Sequence, residues 1–206
     1  MSQKTLIWIA IGWGILTLFN YYYMNFFFLA FEWIFLCLGL FIGFLIQLAK
    51  LAMGPPNPGH LRIQKTGLFL ILFVLTFFQS WPNSIIEKLD WLILENRRNE
   101  IVNQVKRGEL NPNVSWNGII CELPFEFPVV SNGGNDIVIW RNEERNTVTI
   151  EFWIFRNFFE APQKQFVYTN DPTKIQKIEE KIKKDRFKNN WKIKENWYRT
   201  YGELWE

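Results

Sequence analysis

Over the first part of the chain, apolar residues run on without the polar interruptions that a soluble helix needs. No charge occurs from Thr5 to Met24, and about 20 residues at a rise of ~1.5 Å match the ~30 Å hydrocarbon core of a bilayer. A second run, Phe26 to Ala49, carries one charge, Glu32. A third, Gly67 to Phe78, reaches spanning length only if it starts near Ile63 and continues through Trp81, with Lys65 reaching back to the headgroups. Between the second and third runs, Gly54-Pro55-Pro56-Asn57-Pro58-Gly59 breaks any helix. The pattern predicts three transmembrane helices within residues 1–81. The first run is longer than the apolar core of a signal peptide, and Leu18 to Tyr23 offers no small-residue cleavage site, so it is expected to be retained.

At Trp81-Pro82 the period changes. Asn83 or Ser84 is the expected N-cap, with Glu87 closing a capping box on Ser84. Ile86, Leu89, Ile93, Ile101 and Val105 recur at helical spacing, and Gly108 stops the helix. This predicts an amphipathic junction helix over 82–108 after a bend at Trp81-Pro82, its first turns against the membrane and its second half carrying one apolar stripe for a sheet. Glu95, Arg97, Arg98, Asn99 and Glu100 form a fully polar patch. Over 109–206 the alternation becomes two-residue. Candidate strands are Gly118 to Leu123, Glu126 to Val130 (an edge, because of Pro128), Asp136 to Arg141, Thr147 to Arg156, Gln165 to Thr169 and Trp191 to Tyr201. Asn132-Gly133-Gly134-Asn135 is a turn, and Asp171-Pro172 opens a helix to Phe187 with Ile175, Ile178 and Ile182 inward. Val148, Ile150, Phe152 and Ile154 should share the buried face of their strand, leaving Thr149 on an exposed one. The fold class is therefore a membrane protein with three transmembrane α-helices followed by an α+β domain: a long stalk helix, an antiparallel sheet and a second short helix.

Charge sharpens this division. Before Pro82 the cations are Lys4, Lys50, Arg62 and Lys65 against the single carboxylate Glu32, so the whole net charge of +3 belongs to the membrane part. The remainder is formally neutral, which gives no support to a nucleic-acid partner. With three spans all four cations fall on one side, while the turn at Asn20-Tyr21-Tyr22-Tyr23 and Asn25 has aromatic interface character and no charge. The amino terminus is thus expected inside and the carboxy-terminal domain outside a bacterial inner membrane. Cys37 and Cys121 lie in different parts and cannot bridge within one chain, and Cys121 is expected as a buried apolar residue. With one His and two dispersed Cys, no zinc set or Cys-His or Ser-His pair can be assembled, so no metal, cofactor or catalytic residue is assigned. Carboxylate-only catalysis stays open.

Three features invite a functional reading. Glu32 lies inside a span, where a carboxylate is costly; the plainer reading has it protonated, shallow, or bonded to Tyr21, Tyr22 or Gln79 and orienting helices. Gly39 and Gly43 have small-xxx-small spacing, read first as packing against the first or third span and second as homo-oligomerisation. Lys177, Lys181 and Lys184 on the last helix form a basic face that is either simply solvated or meets anionic lipid or an acidic partner.

The stretches Trp153-Ile154-Phe155-Arg156, Phe166-Val167-Tyr168-Thr169 and Glu195-Asn196-Trp197-Tyr198 resemble the carboxy-terminal part of small, uncharacterised bacterial proteins of polymorphic toxin and immunity neighbourhoods, with Asn157 where those often have Gly. The resemblance implies a bacterial source and no active residue. The expected function is non-enzymatic: an extracytoplasmic binding domain in an accessory, sensor or immunity-type role, with membrane lipid and another protein as partners. The alternative is a small transport subunit or lipid-acting enzyme using Glu32 near the outer leaflet.

Overall fold

The computed structural model describes residues 2–23, 26–56, 59–156 and 162–202, leaving the side chains of 26–30 aside. Met24, Asn25, Asn57, Pro58, Asn157 and Glu206 lie outside the described residues. The chain forms two compact units, Met1–Leu89 and Asp90–Glu206.

The first unit contains α1 (Gln3–Tyr23), α2 (Phe26–Ala52), α3 (His60–Phe77) and the start of α4 (Ser80–Lys106). Three helices are long and apolar enough to cross a membrane: Gln3–Tyr23, Phe31–Ala52 and His60–Phe77. Their outward faces carry Trp8, Ile15, Phe35, Ile42 and Ile71 in full exposure, a surface that water does not tolerate and lipid does. Inward, Thr76 ties the three together. The Trp13 indole of α1 donates to the Thr76 hydroxyl (2.9 Å), and the Trp33 indole of α2 donates to the Thr76 carbonyl (2.7 Å). That carbonyl sits in the last turn of α3, where the helix itself offers no partner, so an indole N–H from a neighbour completes it without breaking a backbone bond.

The break after α3 falls at Phe78-Gln79, not at Trp81-Pro82 as the sequence suggested. Phe78 leaves helical geometry (φ −97°, ψ 53°) while its N–H still reaches the Val74 carbonyl. Helix α4 starts at Ser80, so Pro82 sits in the first turn, where an N–H would lack an intrahelical acceptor in any case. The Ser84–Glu87 capping box does not form, because Ser84 lies inside the helix and its hydroxyl donates to the Trp81 carbonyl (2.8 Å).

In the second unit one six-stranded antiparallel sheet has the order β1-β2-β3-β4-β6-β5, formed by β1 (Ile120–Glu122), β2 (Asp136–Asn142), β3 (Thr147–Phe155), β4 (Lys164–Thr169), β5 (Trp191–Lys194) and β6 (Trp197–Tyr201), with α5 (Pro172–Lys184) between β4 and β5. Register pairs Ile150 with Tyr168, Phe152 with Phe166 and Tyr168 with Trp197, so these rings share one face. There Trp91 of α4 meets Phe166 at a tilt and Trp197 edge-on, each at 4.9 Å between ring centres, and Ile101, Val102 and Val105 of the same helix are buried. On the opposite face Val167 and Tyr198 meet Ile178, flanked by Ile175 and Ile182. The inward stripe read for α5 is the one observed.

Because a helix covers each face, the expected polar side of β3 is buried as well. Thr149 is 1% exposed and shares a 2.7 Å hydroxyl–hydroxyl hydrogen bond with Thr169, which corrects its assignment to a tolerant outer face. Two strand readings also change. Glu126 to Val130 is not a strand: the buried Asn135 side chain takes the N–H groups of Val130 and Ser131 and donates to the carbonyls of Phe125, Glu126 and Pro128. One amide thus replaces a ladder. Trp191 to Tyr201 is two strands, reversed at Glu195-Asn196 with Asn196 at φ 62°, a conformation that Asn tolerates better than most side chains.

Candidate functional site

In the membrane part, Glu32 lies one position before Trp33, on the turn of α2 that is pinned to Thr76. Its Oε2 is buried and accepts no hydrogen bond from a described residue. Gln79, one of its expected partners, instead donates to Asn20 Oδ1 (3.1 Å). Asn20 is itself buried, and its Nδ2 finds no acceptor among the described residues. The end of the bundle formed by the last turns of α1 and α3 therefore holds buried polar atoms that the described residues do not satisfy.

The two glycines part company. A Cβ at Gly43 would come within 2.5 Å of the Phe69 ring of α3, so this glycine lets the two helices close up, whereas one at Gly39 would meet nothing within 4 Å. Gly43 is a packing position against the third span; Gly39 makes no close approach within the chain.

In the second unit the basic residues are arranged by the start and end of α5. Asp171 caps the helix, accepting from Thr173 N (2.9 Å), and Pro172 occupies the first position. Lys177 and Lys184 are exposed, whereas Lys181 is half-buried, its ammonium 3.7 Å from where a Cβ of Gly202 would stand. Lys174, a further cation of the same helix, lies 4.9 Å over the Trp140 ring. Burial pushes its ammonium below the usual lysine range, against the opposing pull of the Glu151 and Asp171 carboxylates. Glu151 is buried and accepts from the Trp140 indole (3.0 Å) and the Gln165 amide (2.8 Å).

The helix ends at Lys184 instead of Phe187 because Asp185 gathers the following turn. Its carboxylate accepts from Phe187 N (2.9 Å), Asn190 N (2.7 Å) and Asn190 Nδ2 (2.6 Å). Loss of water around Asp185 would raise its pKa, but the hydrogen bonds from Asn190, Phe187 and Asn189 outweigh this and hold it below the usual carboxylate range. The turn holds Phe187 out in solvent, 85% exposed, between Lys183, Lys184, Arg186 and Lys188. The run carries four cations against the one carboxylate of Asp185, which is turned to the N–H groups of Phe187 and Asn190, so its net charge is positive.

The polar patch of α4 contains what sequence reasoning missed most plainly. Arg98 is 1% exposed. Its Nη2 donates to Asp90 Oδ2 at 2.6 Å, Nη1 to the Asp90 carbonyl at 3.3 Å and Nε to the Val130 carbonyl at 3.0 Å, while the guanidinium lies 4.7 Å over the Phe166 ring. Leu89 and Ile93, in the half of the helix expected near the membrane, are exposed, the latter at 74%. A signal was present: Arg98 follows Trp91 by seven residues and precedes Ile101 by three, both on the inward face. Cys121 is fully buried, and burial, aided by Asp136 and Glu122, pushes its thiol up and away from reactivity.

Among the described residues no three His, Cys, Asp or Glu side chains gather closely enough to hold a metal ion. No protein-family model, curated protein or solved structure matches the chain.

Proposed function

We propose that this is an integral protein of a bacterial inner membrane that anchors its α+β unit outside the cytoplasm and works by binding, in an accessory, sensor or immunity-type role. The observation that carries the reading is the turn after α5. A phenyl ring held 85% exposed by a hydrogen-bonded turn, flanked along the chain by four cations against the single carboxylate of Asp185, makes a recognition surface. Folding gains nothing from leaving that ring in water, whereas an apolar anchor within a matching charge field supplies affinity and orientation to a complex. Charge complementarity selects an acidic protein partner.

Topology and binding are tested separately. A reporter active only outside the cytoplasm should work when fused after Glu206 and fail near Asn57; the reverse pattern defeats the orientation. A partner co-purified with the tagged full chain from native membranes should be lost from the Phe187→Ser, Arg186→Glu, Lys188→Glu variant and kept by Glu144→Gln in the β2–β3 turn. Retention by both would remove the turn from the binding surface. The second reading, a transport subunit or lipid-acting enzyme, is favoured by the unsatisfied Glu32 Oε2. It requires that Glu32→Gln abolish the phenotype while deletion after Gly108 does not.

A further inference from the structure

The four cations of the membrane part are accounted for by topology only as a count, and topology does not say where their side chains go. Three of them converge. Lys50 in the last turn of α2, and Arg62 and Lys65 in the first two turns of α3, line one cavity with Gln47, Met53 and Gly54, with a volume of about 460 Å³. No carboxylate lines it. The two carboxylates of the first unit, Glu32 and Glu87, are remote. Glu32 is 18 residues up α2, about 27 Å at ~1.5 Å per residue; Glu87 follows the far end of α3, whose first turn holds Arg62.

The Arg62 guanidinium lies close against the backbone just beyond α2, where a Cβ at Gly54 would make it shift. Placing cations at a membrane face requires no shared cavity. Three ammonium and guanidinium groups held together without a counterion repel one another, a cost that an anion in the cavity reverses. Arg supplies a planar fork for phosphate oxygens and Lys a point charge. Gln47 adds an amide N–H donor, while Met53 is apolar and exposed.

We propose that this cavity between the loop-side ends of α2 and α3 is a binding site for a phosphate-bearing anion, the headgroup of an anionic phospholipid or free phosphate. The site rests on α2 and α3 lying in a bilayer, and not on which side the α+β unit stands or what that unit binds. An aliphatic stem passing Met53 toward the exposed apolar faces of α2 and α3 would distinguish a lipid from a free ion.

The full chain, purified in a neutral detergent, is titrated with dioleoylphosphatidylglycerol, dioleoylphosphatidylcholine or inorganic phosphate. Bound lipid is counted by native mass spectrometry, and the melting temperature is followed in parallel. The phosphatidylglycerol should be retained in preference to the phosphatidylcholine, at one molecule per chain. Lys50→Gln, Arg62→Gln and Lys65→Gln should each weaken it about fivefold, and all three together about a hundredfold, from ~1 kcal/mol per cation near anionic lipid. Lys4→Gln should leave it unchanged. If 10 mM phosphate raises the melting temperature and displaces the lipid, the source is free phosphate; if only the lipid binds, it is the headgroup. Equal retention of the two lipids with no effect of phosphate would overturn the site. So would binding unchanged in the triple variant. Should that variant lose its helical circular dichroism, the single variants Lys50→Gln and Lys65→Gln must still weaken binding. Failure of the extracytoplasmic reading would leave these results untouched, because they depend on no fusion and no partner.

Discussion

Replacing Asp90 by Ala would leave the Arg98 guanidinium with no carboxylate, under a sheet that admits no water. Arg98 and Asp90 side chains are 1% and 2% exposed, so solvent cannot take over the lost charge. Removing one partner of such a pair costs ~3–5 kcal/mol. Removing both, as Asp90→Leu with Arg98→Met, spares the stranded charge and takes the Arg98 donors from the Val130 carbonyl and, at the longer 3.3 Å, from the Asp90 carbonyl, at ~1–3 kcal/mol. The double variant should therefore be more stable than Asp90→Ala by about 2 kcal/mol, a non-additivity expected of residues in one network. The assay is the reactivity of Cys121, which is fully buried in β1. In the full chain carrying Cys37→Ser, its thiol is labelled only when the second unit opens, and the urea dependence of labelling identifies the global opening. Asp90→Ala should speed labelling between about a hundredfold and a few thousandfold, at ~1.4 kcal/mol per tenfold, and the double variant should recover at least tenfold. Labelling of Asp90→Ala at the wild-type rate would refute the reasoning, as would a double variant no slower than the single.

The same assay decides the two faces of β3: Phe152→Ala should cost ~3–5 kcal/mol, and Thr149→Ala about 1 kcal/mol through its lost bond to Thr169, so a neutral Thr149→Ala would show that face to be wet. The Asp185 turn gives a pH test. Its folded pKa lies below the ~3.9 of an unfolded Asp, so its stabilisation is complete above about pH 4 and fades as pH falls through the depressed folded value. Asp185→Asn should therefore melt lower than wild type at pH 7 and approach it by pH 3; a gap that stays constant over that range would disprove the assignment.

How much of this was legible in sequence depends on the range over which each signal acts. The apolar runs that became α1, α2 and α3, the Asp171-Pro172 start of α5, the glycine turn at 133–134 and the strands β2, β3 and β4 are written in a few adjacent residues. Their determinants, continuous apolarity, a capping side chain, a residue without Cβ and two-residue alternation, act within one turn or one strand. Glu32, Gly43 and the lysines of α5 were likewise found by type and spacing. What those residues meet was not. That Gly43 closes on Phe69 while Gly39 closes on nothing depends on the rotation of α2 against α3. The burial of Thr149 and Glu151 follows from a second helix covering the far side of a sheet whose alternation alone implied water there. In sequence Arg98 is one member of a polar patch, whereas its neighbours in space are Asp90, Phe166 and the Val130 carbonyl, up to 68 residues away. Lys50 and Arg62 likewise share a cavity only because α3 folds back along α2. Sequence alone determines where a helix or strand can exist, since those energies are local; which charges end up together is decided by tertiary packing, since electrostatic and desolvation energies depend on distance through space and not along the chain.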